Sequence, residues 1–299
     1  MLGKLSSSFQ LLKFQKKNFG ANEKVLKNRI KSVSSIAKIT KAMKMVSSSK
    51  MKADMARLQG GKNFGVDAIE KIFILDTYMQ KYNKSVGNRV LYVPFTSDRG
   101  LCGGINSGII REVKSTLNAN SANRSQCGLY IIGDKGSSAL SRSCSDILIR
   151  GVQDLIKPIN YTTAASIAQD IGTIGDNYDK IVLIYNTYIN AISSEITKVE
   201  LKPRSYFIEL TTFGRLYDQK TPDKRSSNPA LYDLYISSNI YRALLNSLAS
   251  EQSARMSAME NASKNAGEIV DKLLLEYNKA RQARITMELI EIISGASAV

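Results

Sequence analysis

The chain has 299 residues, of which 43% are hydrophobic and 23% charged, a composition typical of a folded, core-forming protein. It contains 42 lysines and arginines against 26 acids, and no histidine, which excludes a Ser-His-Asp triad, a histidine general base and a His-ligated zinc site. No stretch approaches the roughly 18 uninterrupted apolar residues of a membrane-spanning helix. The three cysteines are an odd number without metal-binding spacing, which indicates a reducing compartment.

The first segment, residues 1–22, is basic, contains no acid and places apolar residues at helical spacing. These features are typical of a mitochondrial transit peptide, and we predict one here. The alternative is an ordinary basic tail. The apolar positions that carry the pattern are Leu2, Leu5, Phe9 and Leu12.

Residues 23–79 contain no proline, and an apolar stripe with spacings of three and four predicts a long helix. The stripe comprises Leu26, Ile30, Val33, Ala37, Thr40, Met43 and Val46. Residues 1–60 hold 14 Lys/Arg and only two acids, so like charges along this helix disfavour it in isolation. We expect Glu260, Glu268 and Asp271 to offset part of this charge.

The basic helix leaves two alternatives open, a solvated helix face and a nucleic-acid-binding surface. Nucleic-acid binding is the weaker reading, because no aromatic residue lies between Phe19 and Phe64 and no nucleic-acid-binding motif is present.

The middle of the chain, residues 86–210, alternates short apolar runs with helical patterns. This alternation predicts a Rossmann-like α/β domain with a mainly parallel sheet. The predicted strands are 89–95, 128–132, 146–149 and 180–185, and the predicted helices are 105–118, 135–142 and 162–177.

A glycine-rich segment, Ser97–Gly104 (SDRGLCGG), follows the first predicted strand. It lacks the GxGxxG spacing, and no GxxxxGK[ST] motif occurs, so the segment favours a tight loop over a phosphate cradle. Cys102 within it is interpreted as a structural thiol, with a reactive thiol as the alternative. No paired carboxylates or metal cluster stand out, so we predict no catalytic, cofactor-binding or metal-binding residue. A small-molecule enzyme is therefore the weakest alternative.

After a linker at 211–228, residues 229–299 predict a second long helix whose seam alternates spacings of three and four over about five heptads. Asn228 is a candidate N-cap before Pro229. The seam comprises Tyr241, Leu245, Leu248, Gln252, Arg255, Met259, Ala262, Ala266, Ile269, Leu273, Tyr277 and Ala280.

The lengths of the two helices determine the predicted fold class. At about 1.5 Å per residue they would span roughly 85 and 96 Å, whereas a compact chain of this size has a diameter near 50 Å. We therefore predict an α/β protein in which both termini form a long antiparallel two-helix coiled coil that projects from the central domain.

The end of the second helix, 285–293, is apolar on every side of the helix, and such a helix is buried on every side. We expect a sleeve of other chains around it, forming an apolar bearing, with capping of the protein's own core as the alternative. The bearing residues are Ile285, Met287, Leu289, Ile290, Ile292 and Ile293.

Four segments resemble the gamma subunit of F-type ATP synthases. They are ITKAMKMVSSSKM (Ile39–Met51), SDRGLCGG (Ser97–Gly104), SEQSARMSAMENASKNAGE (Ser250–Glu268) and YNKARQARITMELIEIISGASAV (Tyr277–Val299). The resemblance covers residues 23–299, and with the leading basic segment the chain is similar to the mitochondrial form.

The resemblance implies a non-catalytic central rotor shaft that couples proton-driven rotation of the c-ring to conformational cycling of the catalytic beta subunits. The implied partners are the alpha and beta subunits, the other central-stalk subunits (delta/epsilon) and the c-ring, with membrane contact only through partners. The implied location is the matrix side of the mitochondrial inner membrane, with no cofactor and no nucleic acid.

The resemblance also implies contacts between rotor and surrounding subunits. For Arg255 and Gln282, packing or pairing within the coiled coil is the alternative. The implied contact residues are Lys41, Met43, Lys44, Arg255, Gln282, Thr286 and Glu288.

Overall fold

The computed structural model describes residues 2–61, 89–204 and 224–297. Besides a 3₁₀-helix at Ser121–Gln126, its elements in chain order are α1 (Leu2–Gly61), β1 (Val90–Pro94), α2 (Ile105–Ala119), β2 (Cys127–Ile132), α3 (Asp134–Leu140), β3 (Leu148–Val152), α4 (Tyr161–Gly175), β4 (Lys180–Tyr188), β5 (Ser194–Leu201) and α5 (Lys224–Ala296). None of the helices within these ranges is long and apolar enough to cross a bilayer.

The chain divides into two compact units. We call residues 46–258 the sheet unit, and residues 1–45 together with 259–299 the helical unit. Both long helices contribute residues to each unit.

The sheet has the order β3-β2-β1-β4-β5, with β1 to β4 parallel and β5 antiparallel to β4. This confirms the predicted mixed α/β fold with a mainly parallel sheet. β5 was not predicted, because its sequence (SEITKVEL) alternates charged and apolar residues at the sheet edge and has no buried run. The predicted strand 146–149 is displaced from β3, since β3 is also an edge strand with an exposed centre.

Strand β1 is buried on both faces, which explains its continuous apolar sequence. Leu91, Val93 and Phe95 pack in one cluster with α4 and the first part of α5. Val90 and Tyr92 pack in a second cluster on the opposite face, against α2. The sheet is therefore covered by helices on both sides, and α5 is part of the core of the sheet unit.

A close approach between the ends of β1 and β2 requires glycine at position 133. Gly133 has φ +101°, and an added Cβ would lie 2.1 Å from the carbonyl oxygen of Thr96. We expect Gly133→Ala to destabilise the sheet unit by at least about 1–3 kcal/mol from the backbone conformation alone. Urea unfolding measures this change. Gly100→Ala is the matched control, because its added methyl would meet only the Lys135 side chain at 3.8 Å; an equal loss in both variants would contradict the explanation.

The observed ends of the long helices differ from the predicted ones. α1 already begins at Leu2, and its predicted continuation over 62–79 lies outside the described residues. α5 begins at Lys224, so Asn228 is not its N-cap. The helix starts five residues before Pro229, the proline from which its start was predicted. The transit peptide at 1–22 and the other domain boundaries stay predictions.

The buried stripe on each helix departs from the predicted seam at one position. Val46 is exposed and Ser47 is buried in its place. On α5, Ile269 is exposed, whereas Ala266 and Leu273 are buried and Val270 is half-buried. In both cases the observed stripe takes a spacing of four where the prediction took three. On α1 the apolar Val46 was preferred over the polar Ser47, whereas on α5 Ile269 and Val270 are both apolar and the sequence does not distinguish them.

Candidate functional site

The apolar segment at the end of α5 is exposed in the chain. The side chains of Ile285, Leu289, Ile290, Ile292 and Ile293 are between 44% and 67% exposed, and Met287 is half-buried. The alternative in which 285–293 caps the protein's own core is therefore wrong. The apolar residues cover several sides of a helix without being buried there.

The predicted polar contacts near this segment lie on consecutive turns of α5. Gln282 and Thr286 are exposed, and the Thr286 hydroxyl donates to the Gln282 carbonyl at 3.0 Å. The Glu288 carboxylate lies 3.8 Å from the Arg284 guanidinium, and its side chain is 39% exposed. Gln282 and Thr286 therefore share one exposed face of the helix, whereas Glu288, two residues after Thr286, lies on a different face and is half-buried.

The predicted contacts on α1 lie in three different environments. Lys41 is exposed and Met43 is half-buried. The Lys44 ammonium lies 3.0 Å from the Glu260 carboxylate on α5, and this contact lowers the pKa of Glu260. Glu260 thus offsets part of the basic charge of α1, as predicted, while Glu268 and Asp271 are exposed.

Arg255 lies inside the sheet unit. Its side chain is 10% exposed and pairs with the 7% exposed Glu251, at 2.7 Å. The same guanidinium donates to the main-chain carbonyls of Arg99 and Gly100 at 3.3–3.4 Å. This arrangement corresponds to the internal-pairing alternative, with a loop of the α/β domain as an additional partner; a contact with another subunit stays a prediction.

The segment Ser97–Gly104 is a tight loop held by side-chain hydrogen bonds. The Asn106 amide accepts from the Ser97 main-chain N–H at 3.0 Å and donates to the Ser97 hydroxyl at 2.7 Å. It also donates to the buried Cys102 sulfur at 3.2 Å. Leu101 adopts φ +62° and is exposed at the tip of the loop. The geometry agrees with a structural thiol and a tight turn.

Asp54 is a buried carboxylate on α1, next to Arg57 at 3.0 Å. Burial raises the pKa of Asp54 above its ordinary value of 3.8, against the lowering effects of Arg57 and Lys157; Glu251 adds to the rise. Because the pKa of Asp54 is raised in the folded chain, its charged form lowers the free energy of unfolding at neutral pH. This cost disappears as the pH falls below the pKa that Asp54 has in the unfolded chain.

We therefore expect Asp54→Asn to increase the free energy of unfolding at pH 7, with a smaller increase at pH 4.5. Urea unfolding at both pH values measures it. If the difference in unfolding free energy between variant and parent were more favourable to the variant at pH 4.5 than at pH 7, the sign of the pKa shift would be contradicted.

Comparison with known proteins agrees with the resemblance to the gamma subunit. The sequence pattern of the family described as ATP synthase matches residues 22–299. The ATP synthase gamma chain of Rickettsia canadensis is 38% identical over 291 residues, covering 93% of this chain and 100% of that protein.

The chain belongs to the ATP synthase gamma family.

Mitochondrial gamma subunits are among the similar proteins. That of Ipomoea batatas is 36% identical over 283 residues, covering 92% of this chain and 84% of that protein. In a cryo-EM structure of the central stalk and c-ring of the Tetrahymena thermophila mitochondrial ATP synthase, one chain is 46% identical with a TM-score of 0.69, covering 75% of this chain and 99% of that one. This gamma chain is thus the structural counterpart of a central-stalk component.

A further set of exposed apolar residues was missed by the sequence reasoning. These residues lie on both helices of the gamma chain's helical unit, away from the seam. A count of apolar residues outside the three-and-four spacing would have found them. They are Val25, Ile36, Ile39, Met45, Leu274 and Leu275.

The cleft at the carboxyl ends of β1 and β2, where Rossmann-like folds bind ligands, is bounded by α5 in this gamma chain. Leu244, Leu248 and Glu251 of α5 form one of its walls. Within residues 2–61, 89–204 and 224–297, no group of three or more acids and cysteines is arranged to hold a metal ion.

Proposed function

We propose that the chain is the rotating central shaft of a mitochondrial F-type ATP synthase. In this role it couples proton-driven rotation of the c-ring to the conformational cycle of the catalytic beta subunits and performs no catalysis itself. It would lie on the matrix side of the inner membrane and contact the membrane only through its partners.

The observation that carries the proposal is the exposed apolar end of α5. Full burial of an isoleucine or leucine side chain contributes about 1.5–3 kcal/mol. Leaving five such side chains largely exposed at one end of a helix is favourable only if other chains cover them. A sleeve formed by alpha and beta subunits would cover all sides of the helix at once.

An apolar end also suits rotation. From residue 285 to residue 297 the ionisable side chains are Glu288 and Glu291. Apolar contacts are non-directional, so the helix can turn against a sleeve without strong fixed pairings. Gln282, Thr286 and Glu288 could then define preferred angular positions, because a neutral hydrogen bond nets about 1 kcal/mol and one to a charged group roughly 1.5–3.

The two long helices would provide the stiffness of the shaft as an antiparallel coiled coil. Lys44 pairs with Glu260 and Glu23 pairs with Arg284, so residue numbers rise on one helix and fall on the other. The buried positions Leu26, Thr40, Met259, Ala266 and Leu273 support a shared seam.

The remaining assignments follow from the same role. Lys41 and Lys44 would face acidic loops of the catalytic subunits, and the delta and epsilon stalk subunits would bind elsewhere on the chain. Nucleic-acid binding is not proposed, because exposed Ile36 and Ile39 interrupt the basic surface of α1.

Affinity purification of the tagged full-length chain at moderate salt, with identification of the proteins bound, tests this function. We expect the alpha and beta subunits and the c-ring to copurify, and the isolated chain to bind no nucleotide. Copurification of nucleic acid without ATPase subunits would contradict the proposal.

A further inference from the structure

Arg284 connects the two helices of the helical unit immediately before the apolar segment. Its Nε lies 2.9 Å from the Glu23 carboxylate on α1, and its side chain is 36% exposed against 17% for Glu23. On its own helix, the Arg284 guanidinium is 3.8 Å from Glu288. The closer and more sheltered contact is therefore the one between helices.

This ion pair lies beyond the last buried residue of α5. Leu273 is the last described residue of α5 that is buried; from 274 to 297 the side chains are half-buried or exposed. On α1, Leu26 is buried three residues after Glu23. Segments with little buried apolar surface open most readily, so a polar contact has more influence on this part of α5 than on the part that holds the buried Leu273.

We infer that Arg284 is a positioning residue whose bridge to Glu23 holds α1 against α5 at the base of the apolar segment. Arginine suits this role because its planar guanidinium can hold one carboxylate between helices and a second on its own helix. The inference goes beyond the proposed function, since it concerns the pairing of the helices and not the subunits that surround them.

Spin-label distances in the isolated full-length chain test the inference. Asn28 and Asn278 are both exposed, one on each helix near the ion pair, and cysteines placed there can be labelled selectively because the three native cysteines are buried. In the parent chain we expect a narrow distance distribution. Arg284→Gln and Glu23→Gln should each broaden it about twofold or more, because the two helices then separate transiently near these positions.

Three further variants distinguish positioning from general stability. Lys279→Gln removes an exposed positive charge from the same helix and should leave the distribution narrow. Arg284→Lys, and the charge exchange Glu23→Arg with Arg284→Glu, should restore most of the narrow distribution with unchanged helicity by circular dichroism.

An unchanged distribution in Arg284→Gln, equal broadening in Lys279→Gln, or no recovery in the charge exchange would overturn the inference. Because the measurement uses the chain without its partners, none of these outcomes would contradict the proposed shaft function. A failed copurification, in turn, would not contradict the role of the ion pair.

Discussion

Replacement of both Ile292 and Ile293 by aspartate is expected to leave the isolated chain folded and to prevent it from functioning in the assembled complex. Both side chains are about two-thirds exposed, so the substitution removes little packing within the chain. In a sleeve of other subunits the same change would remove two buried aliphatic side chains, at about 1.5–3 kcal/mol each, and would bury unpaired charge. We expect at least a hundredfold loss of ATP-synthesis activity or of complex yield.

Two controls accompany this pair of substitutions. Circular dichroism of the isolated variant should match that of the parent chain. Replacement of the same two residues by leucine preserves apolar volume and should retain most of the activity. A fully active aspartate variant would show that the apolar segment is not enclosed, and a variant unfolded in isolation would show that the segment stabilises the chain itself.

Arg255→Ala is expected to cause the largest loss of stability of any single substitution considered for the sheet unit. It would leave the Glu251 carboxylate, now 7% exposed, without its partner at 2.7 Å, and the loop carbonyls of Arg99 and Gly100 without their donor. Breaking a buried ion pair by removing one member costs about 3–5 kcal/mol. Urea unfolding of the full-length chain measures the loss.

A double-mutant cycle separates the ion pair from the loop contacts. Glu251→Ala removes the carboxylate that Arg255→Ala leaves unpaired. The double variant should therefore be more stable than Arg255→Ala alone, or lose much less stability than the sum of the two single losses. Additive losses would mean that Glu251 and Arg255 act independently, contrary to the geometry.

How much of the fold the sequence reveals depends on which faces of each element are buried. β1 was predicted closely because both of its faces are covered and its five residues are all buried. β5 was missed because an edge strand with one open face carries Glu195, Lys198 and Glu200, which read as loop. The seam errors at Val46 and Ile269 have a related cause, since an apolar residue one position away from the stripe was taken for the buried one.

The candidate site likewise has one part that the sequence alone could predict and another that it could not. The exposed segment 285–293 was predictable because apolar residues on every side of one helix form a local pattern. The environment of Arg255 was not, because its carbonyl partner at Gly100 is 155 residues away in the sequence and no periodicity reports that contact. Arg284 was likewise overlooked as a partner of Glu23, since long-range pairing of charges depends on how the helices are aligned.

Direct observation of rotation tests the central claim, that this chain turns inside a ring of other subunits. Ile192, 93% exposed on the sheet unit, can be replaced by cysteine and carry a visible probe, since the three native cysteines are buried. With the surrounding subunits of the purified complex fixed to a surface, we expect the probe to rotate in one direction when ATP is hydrolysed. Hydrolysis at the normal rate with a stationary probe would contradict the account.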